Sequence, residues 1–132
     1  MSRAKNLANF QTTITDGTTS VATSSITNGS ARAWLNMNGS GTVAITDSFN
    51  VASIVDNSTG DFSSNLTNAM NNVGYAVAAS NISCRSISFA ICITSADVDN
   101  TTSKYEFHGR NTVSGSLIDT TAANTVVHGD LA

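Results

Sequence analysis

The residues best suited to acid–base chemistry are the two histidines, and each precedes a glycine, as His108-Gly109 and His128-Gly129. A hydrolase would pair one of them with a serine nucleophile and an aspartate. Serine is so abundant in this chain that a serine near a histidine is expected by chance, and no nucleophile-elbow motif is present. We therefore expect the histidines at strand ends or in turns, and we predict that the chain is not an enzyme.

Oxygen ligands for a cation occur together in one predicted loop, at Asp97, Asp99 and Asn100. Three such ligands do not complete a calcium shell, and their spacing is not that of an EF-hand. The two cysteines and two histidines also lack the spacing of a zinc finger. The pattern favours a solvated turn, and we predict no metal and no cofactor.

The two cysteines are Cys84 and Cys92. If one extended strand joins them, eight residues separate them by about 26 Å. A disulfide needs Cα atoms within about 7 Å, so the two could pair only if the chain doubles back between them. We expect two free thiols, which fits a protein made in a reducing cytoplasm.

Trp34 is the only tryptophan, and it shares one predicted strand face with Arg32 and Asn36. An aromatic ring flanked by an amide and a guanidinium could stack on a sugar. It could equally seal a subunit interface, where tryptophan is enriched. These three residues are the candidate contact site.

The composition limits the class of protein. Charged residues make up 11% of the 132 residues and the net charge is −3, while Ser, Thr and Asn together supply about 40%. The six Lys and Arg form no basic stripe, which argues against nucleic acid as a partner. No stretch reaches 18 apolar residues, so we expect no membrane insertion, and the N-terminus lacks the apolar core of a secretory signal.

Two regions differ in pattern. We interpret residues 1–30 as an arm, with a helix-compatible start followed by an extended stretch that has room for one edge strand. From residue 31 onward, period-2 alternation bounded by Gly, Asn and Asp turns predicts about eight short strands. The predicted fold is therefore all-β, an antiparallel β-sandwich or jelly-roll-like domain over residues 31–132 with an extended N-terminal arm.

Some strand predictions are specific enough to be tested residue by residue. Residues 31–38 should direct Ala33, Leu35 and Met37 to one side. Residues 49–56 should place Phe49, Val51 and Val55 on one face and Ile54 on the other. Residues 112–118 should form a further strand, and residues 56–61 should close a hairpin.

A longer motif begins at residues 33–45, Ala-Trp-Leu-Asn-Met-Asn-Gly-Ser-Gly-Thr-Val-Ala-Ile. It continues with Ser-Phe-Asn-Val-Ala-Ser-Ile at 48–54, Asp-Asn-Ser-Thr-Gly-Asp-Phe at 56–62, Leu66, Ala69-Met70 and Tyr75-Ala76-Val77. This combination resembles a module of tail-fibre and related virion proteins of phages, notably those of marine and freshwater bacteria. The opening eight residues, Met-Ser-Arg-Ala-Lys-Asn-Leu-Ala, look like the start of many such fibre proteins.

The chain departs from that family in three ways. Family members often carry Pro where this chain has Asn71, and Gly where it has Ser58; both positions fall in predicted turns. Long fibres also place repeats or shaft segments between the start and the module, whereas only about 20 residues intervene here. The resemblance therefore implies a short fibre, a tail-tip or adaptor-like part, or a head decoration.

The resemblance implies a structural protein of the virion, made in the cytoplasm of the host bacterium, with a tail-fibre or host-recognition role ahead of capsid decoration. A free lectin-like carbohydrate-binding module is a further alternative. The resemblance to the virion module also implies a homo-oligomer, most simply a trimer. It favours a role in packing or in a subunit interface for Trp34, and it adds a host-surface glycan as another partner. The arm would dock on tail, portal or capsid proteins through Arg3, Lys5, Leu7, Phe10, Ile14 and Val21.

Overall fold

The computed structural model describes residues 13–15, 18, 20–80, 89–92 and 99–132. The chain divides into two compact units, Met1–Ser30 and Ala31–Ala132. In the first unit, strands β1 (Thr13–Thr15) and β2 (Ser20–Ala22) pair antiparallel, and helix α1 (Thr23–Gly29) follows directly.

The β1–β2 pair and helix α1 both depart from the extended arm with one edge strand that the sequence predicts. Thr27 Oγ1 lies 3.1 Å from the carbonyl oxygens of both Thr23 and Ser24, and the Ser30 N–H donates to the Ile26 carbonyl at 3.0 Å. Local bonds of hydroxyl side chains to the backbone let a short polar segment complete a helical turn without an apolar core. Hydrophobic periodicity does not predict such a helix, because the segment is mostly polar.

The second unit contains eight described strands: β3 (Ala33–Asn38), β4 (Ala44–Phe49), β5 (Val51–Ser58), β6 (Asp61–Leu66), β7 (Ala76–Ser80), β8 (Phe89–Cys92), β9 (Lys104–Asn111) and β10 (Ala123–His128). They form two antiparallel four-stranded sheets. Sheet I has the order β4-β3-β10-β7, and sheet II has the order β5-β6-β9-β8. The predicted all-β, antiparallel sandwich-like fold is confirmed.

The core lies between the two sheets because alternate residues of their strands point inward. Along β3 the alternation is as predicted, with Ala33, Leu35 and Met37 at most 1% exposed. The remaining members of the core come from both sheets and from the connections: Phe62, Leu66, Met70, Tyr105, Phe107, Ala123 and Val127.

A polar contact also joins the sheets inside this core. The Tyr105 hydroxyl on β9 lies 2.6 Å from Thr125 Oγ1 on β10, and both residues are buried. The Phe107 ring lies beside the Tyr105 ring, with centroids 6.0 Å apart. Because the two hydroxyls satisfy each other, the tyrosine can fill the apolar core without an unpaired polar atom.

The predicted facing of residues 49–56 is wrong. Phe49 ends β4 and does not begin the next strand, and Val55 is 44% exposed, whereas Val51 and Ile54 both pack against the core. The cause is a bulge, since the β5–β6 register shifts between Val51 and Ser53. An extra residue in one strand reverses the side to which the following residues point.

The predicted strand at residues 112–118 is also wrong, because the chain turns there. The Asn111 side-chain oxygen accepts the N–H groups of Val113 and Ser114 at 2.9 and 3.1 Å, and the Gly115 N–H donates to the Asn111 carbonyl. Gly115 has a positive φ of 71°. Side-chain capping by asparagine and a left-handed glycine are features of a turn, and they override the β propensity of this segment.

The predicted hairpin at residues 56–61 is present, and Gly60 is its critical residue. Its φ is +67°, and a Cβ on it would lie 2.4 Å from the Ile118 nitrogen and 2.7 Å from the Gly109 carbonyl oxygen. The Gly60 N–H donates to Asp119 Oδ1 at 2.7 Å. The segment that leads into β10 therefore crosses directly over this turn.

Candidate interaction surface

The three residues that the sequence singles out around Trp34 lie on the outer face of sheet I. Because the inward positions of β3 are filled by the core, Arg32, Trp34 and Asn36 point away from it, and each is half-buried. The structure thus brings the predicted contact residues together on one surface, as period-2 alternation requires.

Trp34 belongs to an apolar row that crosses all four strands of sheet I. It is directly opposite Phe49 on β4 and Val126 on β10, and Val126 is opposite Ala78 on β7. Residues directly opposite each other in antiparallel strands have Cβ atoms about 5 Å apart and share a face. We call Phe49, Trp34, Val126 and Ala78 the aromatic row; Phe49 is 53% exposed.

A polar row lies next to the aromatic row, two residues along each strand. Asn36 is opposite Asp47 on β4 and Asn124 on β10, and Asn124 is opposite Ser80 on β7. We call these four residues the amide row. Within the described part of the chain, the side-chain amides of Asn36 and Asn124 make no hydrogen bond, so their donors and acceptors are available to solvent or to a ligand.

The position of Phe49 beside Trp34 is fixed by the turn that follows it. Asn50 has a positive φ of 58°, and its side-chain amide donates to the carbonyls of Arg32 and Asn68 at 3.0 and 3.1 Å. Its side-chain oxygen accepts the Asn68 N–H at 2.8 Å. One asparagine therefore ties the β4–β5 turn, which directly follows Phe49, to the start of β3.

Arg32 is anchored at the end of the same face. Its Nε donates to the Gly129 carbonyl at 3.0 Å. The guanidinium is thus tied to the chain after β10 and contributes to the edge of the surface. His128, predicted at a strand end, is the last residue of β10 and is half-buried on the same sheet.

A second polar cluster, which the sequence does not predict, lies between neighbouring strands of sheet II. His108 is 5% exposed and its Nε2 is 3.3 Å from Asp61 Oδ1, in the middle of β9 and not at the strand end we expected. The Lys104 ammonium lies 2.9 Å from Glu106 Oε1 and 3.3 Å from Asp99 Oδ2. The register of β6 against β9 places Asp61 opposite His108, and the sequence alone does not show this register.

Glu106 is held by three donors. Besides Lys104, its carboxylate accepts the Asp99 N–H at 3.0 Å and the Ser63 hydroxyl at 3.3 Å. Burial by itself raises the pKa of Glu106, but these hydrogen bonds and the Lys104 charge outweigh it and hold the pKa below its ordinary value. The hydrogen bond to Glu106 in turn raises the pKa of Lys104. Such engagement is typical of a structural network.

The loop considered for calcium is partly visible. Asp97 lies outside the described residues. The Asn100 side-chain oxygen accepts the Glu106 N–H at 2.9 Å, and Asp99 contacts Lys104. Both residues therefore brace β9. In the part of the chain that the structure describes, no cluster of three or more His, Cys, Asp or Glu could hold a metal ion.

The remaining predicted site residues fall mostly in the N-terminal unit. Val21 on β2 is 41% exposed and is paired with Ile14 on β1. Arg3, Lys5, Leu7 and Phe10 lie outside the described residues, as does Cys84. Cys92 lies on β8.

Comparison of the chain with models of known protein families gives no match, and neither do comparisons with curated proteins or with solved structures. Among the described residues, no helix is long and apolar enough to cross a membrane. The motif of residues 33–77 and the surfaces described above are the features of the chain that bear on its function.

Proposed function

We propose that the chain is a non-enzymatic structural protein of a phage particle, a short tail-fibre or tail-associated host-recognition module. In this proposal residues 31–132 form a displayed head, and residues 1–30 dock it onto tail, portal or capsid proteins. The protein is made in the cytoplasm of the host bacterium and ends in the virion.

The observation that carries the proposal is where the phage-like motif falls in the fold. Residues 33–45 supply β3 and its turn, residues 48–54 the β4–β5 junction, and residues 56–62 the β5–β6 hairpin. Leu35, Met37, Phe62 and Met70 of this motif are core residues, and Gly60 fills a position where no side chain fits. The resemblance thus concerns the residues that build the framework, which supports a shared module and not a chance similarity of surface.

The ionisable residues support a structural role. His108 contacts Asp61, and Lys104, Glu106 and Asp99 bind one another across a strand and a loop. Each of these groups is held in place by neighbours of the same network. A catalytic pair would need space for a substrate atom within reach of both groups. These side chains instead bind one another and stabilise sheet II.

The N-terminal unit supports a docking role. Val21 and Ile26 are apolar, yet they are 41% and 43% exposed. A small unit with exposed apolar side chains gains stability when a partner covers them. Basic Arg3 and Lys5 would complement an acidic surface on that partner.

The test is incorporation into particles. Mass spectrometry of virions purified from cells that carry this gene should detect the chain. A chain that lacks residues 1–30 should keep a β-type circular dichroism spectrum and be missing from the particles, and a chain with Leu7 and Phe10 changed to Asp should behave likewise. Incorporation of either variant at the normal copy number would overturn the docking role, and absence of the full chain from particles would overturn the proposal.

Capsid decoration is the second candidate, because a small sandwich with a docking arm suits a head surface as well as a tail. Immunogold electron microscopy of the full chain separates the two. Gold at the tail end is the expected result, and gold distributed over the head would assign the decoration role.

A further inference from the structure

We propose that the outer face of sheet I is a binding platform for a neutral saccharide, with Trp34 and Phe49 stacking on the sugar ring and Asn36 and Asn124 bonding its hydroxyls. This inference goes beyond the proposed function, because it holds whether or not the chain belongs to a particle. It commits to one of the two roles that the sequence leaves open for Trp34.

The two rows together offer the chemistry that a sugar ring requires. A pyranose ring has an apolar C–H face and a rim of hydroxyls that both donate and accept. The aromatic row offers two rings in adjacent strands, suited to the C–H face. The amide row offers two asparagines side by side on β3 and β10, and an amide both donates and accepts.

The side-chain amides of Asn36 and Asn124 have free hydrogen-bonding capacity. Neither Asn36 nor Asn124 uses its side chain within the described part of the chain, although other surface asparagines do, such as Asn50 and Asn57. The side-chain amides of Asn36 and Asn124 can therefore hydrogen-bond a ligand beside the half-buried Trp34. They lie on strands of a packed sheet, which holds a binding geometry more firmly than loops do.

The size of the aromatic row argues against a second copy of the chain as the occupant. Four strands about 4.8 Å apart make the aromatic row about 15–20 Å long, and one residue pair makes it about 7 Å deep. That gives an apolar strip on the order of 100 Å², bordered directly by the polar amide row. A stable protein interface buries about 800 Å² per partner around a larger apolar centre, whereas a short oligosaccharide fits the strip.

The charges on this face favour an uncharged ligand. Arg32 is anchored to Gly129 at the end of the face, and Asp47 is the one carboxylate of the amide row, with one oxygen accepting the Ser48 N–H at 2.9 Å. There is no group of cations on the two rows to neutralise a phosphate or a sialic acid. The platform therefore matches uncharged hexose or N-acetylhexosamine units.

The sole tryptophan makes the test direct, because all tryptophan emission reports on Trp34. The full chain is titrated with tetra- to hexasaccharides of glucose, galactose, mannose and N-acetylglucosamine, and the emission spectrum is followed. We expect a saturable shift with at least one of them. Phe49→Ala and Asn124→Ala should each weaken binding by about tenfold, equivalent to about 1.4 kcal/mol, with unchanged melting temperature.

Val55→Ala is the matched control, since Val55 is an exposed apolar residue of sheet II and its loss should leave the affinity unchanged. Calorimetry with Trp34→Ala, whose fold is checked by circular dichroism, should show no binding. The proposal is overturned if no saccharide of the set shifts the emission, or if Phe49→Ala and Asn124→Ala bind as the unchanged chain does. It is also overturned if the emission shifts with protein concentration alone, which would make the face a contact between copies.

Discussion

At the scale of single residues, two positions determine the path of the backbone. Asn50 adopts a positive φ and uses its side chain to join the β4–β5 turn to Arg32 and Asn68. Gly60 also has a positive φ and lies where the chain before β10 crosses over the β5–β6 hairpin. Asn50 therefore ties its turn to segments that are distant in sequence. Gly60 leaves room for a distant segment to cross over its hairpin.

Gly60→Ala should destabilise the protein by at least about 3 kcal/mol, because a Cβ there combines left-handed strain with a contact of 2.4 Å to the Ile118 backbone. The matched control is Gly41→Ala. Gly41 has a similar φ of +70°, but a Cβ on it meets nothing within 4 Å, so strain alone should cost about 1 kcal/mol. Urea unfolding followed by Trp34 fluorescence measures both. Equal losses for the two variants would contradict the close crossing at Gly60.

At the scale of elements, β6 and β9 are joined by polar pairs on the side of sheet II that faces away from the core. The register places Asp61 opposite His108 and Ser63 opposite Glu106. Ser63 is 3% exposed and Glu106 is 9% exposed. Polar side chains with so little access to water must be satisfied by one another, and we therefore expect the stability of the sheet to depend on pH.

The pH dependence follows from the pKa shifts of Glu106 and Lys104. The pKa of Glu106 is lowered from its ordinary value of 4.5 on folding, so its contribution to stability is present above 4.5 and is lost as the pH falls through the folded-state pKa. The pKa of Lys104 is raised from 10.5, so its contribution is present below 10.5 and is lost as the pH rises through the folded-state pKa. The free energy of unfolding should therefore decline on both sides of this window.

Glu106→Gln should lower the free energy of unfolding at pH 7 by on the order of 1 kcal/mol and flatten the decline below pH 4.5. Urea unfolding between pH 3 and 11 measures both effects. Asp130→Asn is the control, because Asp130 is exposed and outside the network. If the free energy of unfolding declines below pH 4.5 as steeply in Glu106→Gln as in the unchanged chain, the Glu106 network is not the cause of that decline.

At the scale of the whole molecule, the question is how many chains assemble. The proposed virion role predicts a homotrimer, and the exposed apolar residues Val21 and Ile26 of the N-terminal unit would be suited to contacts between chains. Light scattering on the full chain at micromolar concentration should give about 41 kDa, three times the 13.6 kDa of one chain. A mass of 13.6 kDa would contradict the predicted oligomer. If the full chain gives about 41 kDa, the mass of a chain lacking residues 1–30 shows whether the N-terminal unit makes the contacts.

The sequence by itself determined the fold class and the inner face of β3. Strict alternation at Ala33, Leu35 and Met37 can bury one face only, so the outward direction of Trp34 followed without any tertiary information. The hairpin at residues 56–61 is likewise predictable from the chain alone, because the segment is rich in the turn-forming residues Asn, Asp, Ser and Gly. These features depend on neighbours along the chain.

The tertiary structure decided what depends on register. The bulge after Val51 turned Ile54 inward, and the turn capped by Asn111 replaced a predicted strand. The same cause governs the candidate site, since a sequence places Arg32 and Asn36 beside Trp34 but cannot place Phe49 or Asn124. Strand pairing joins residues up to about 90 positions apart, and one residue of slip would turn each of them to the other face. The platform is therefore a property of the pairing and not of any one segment.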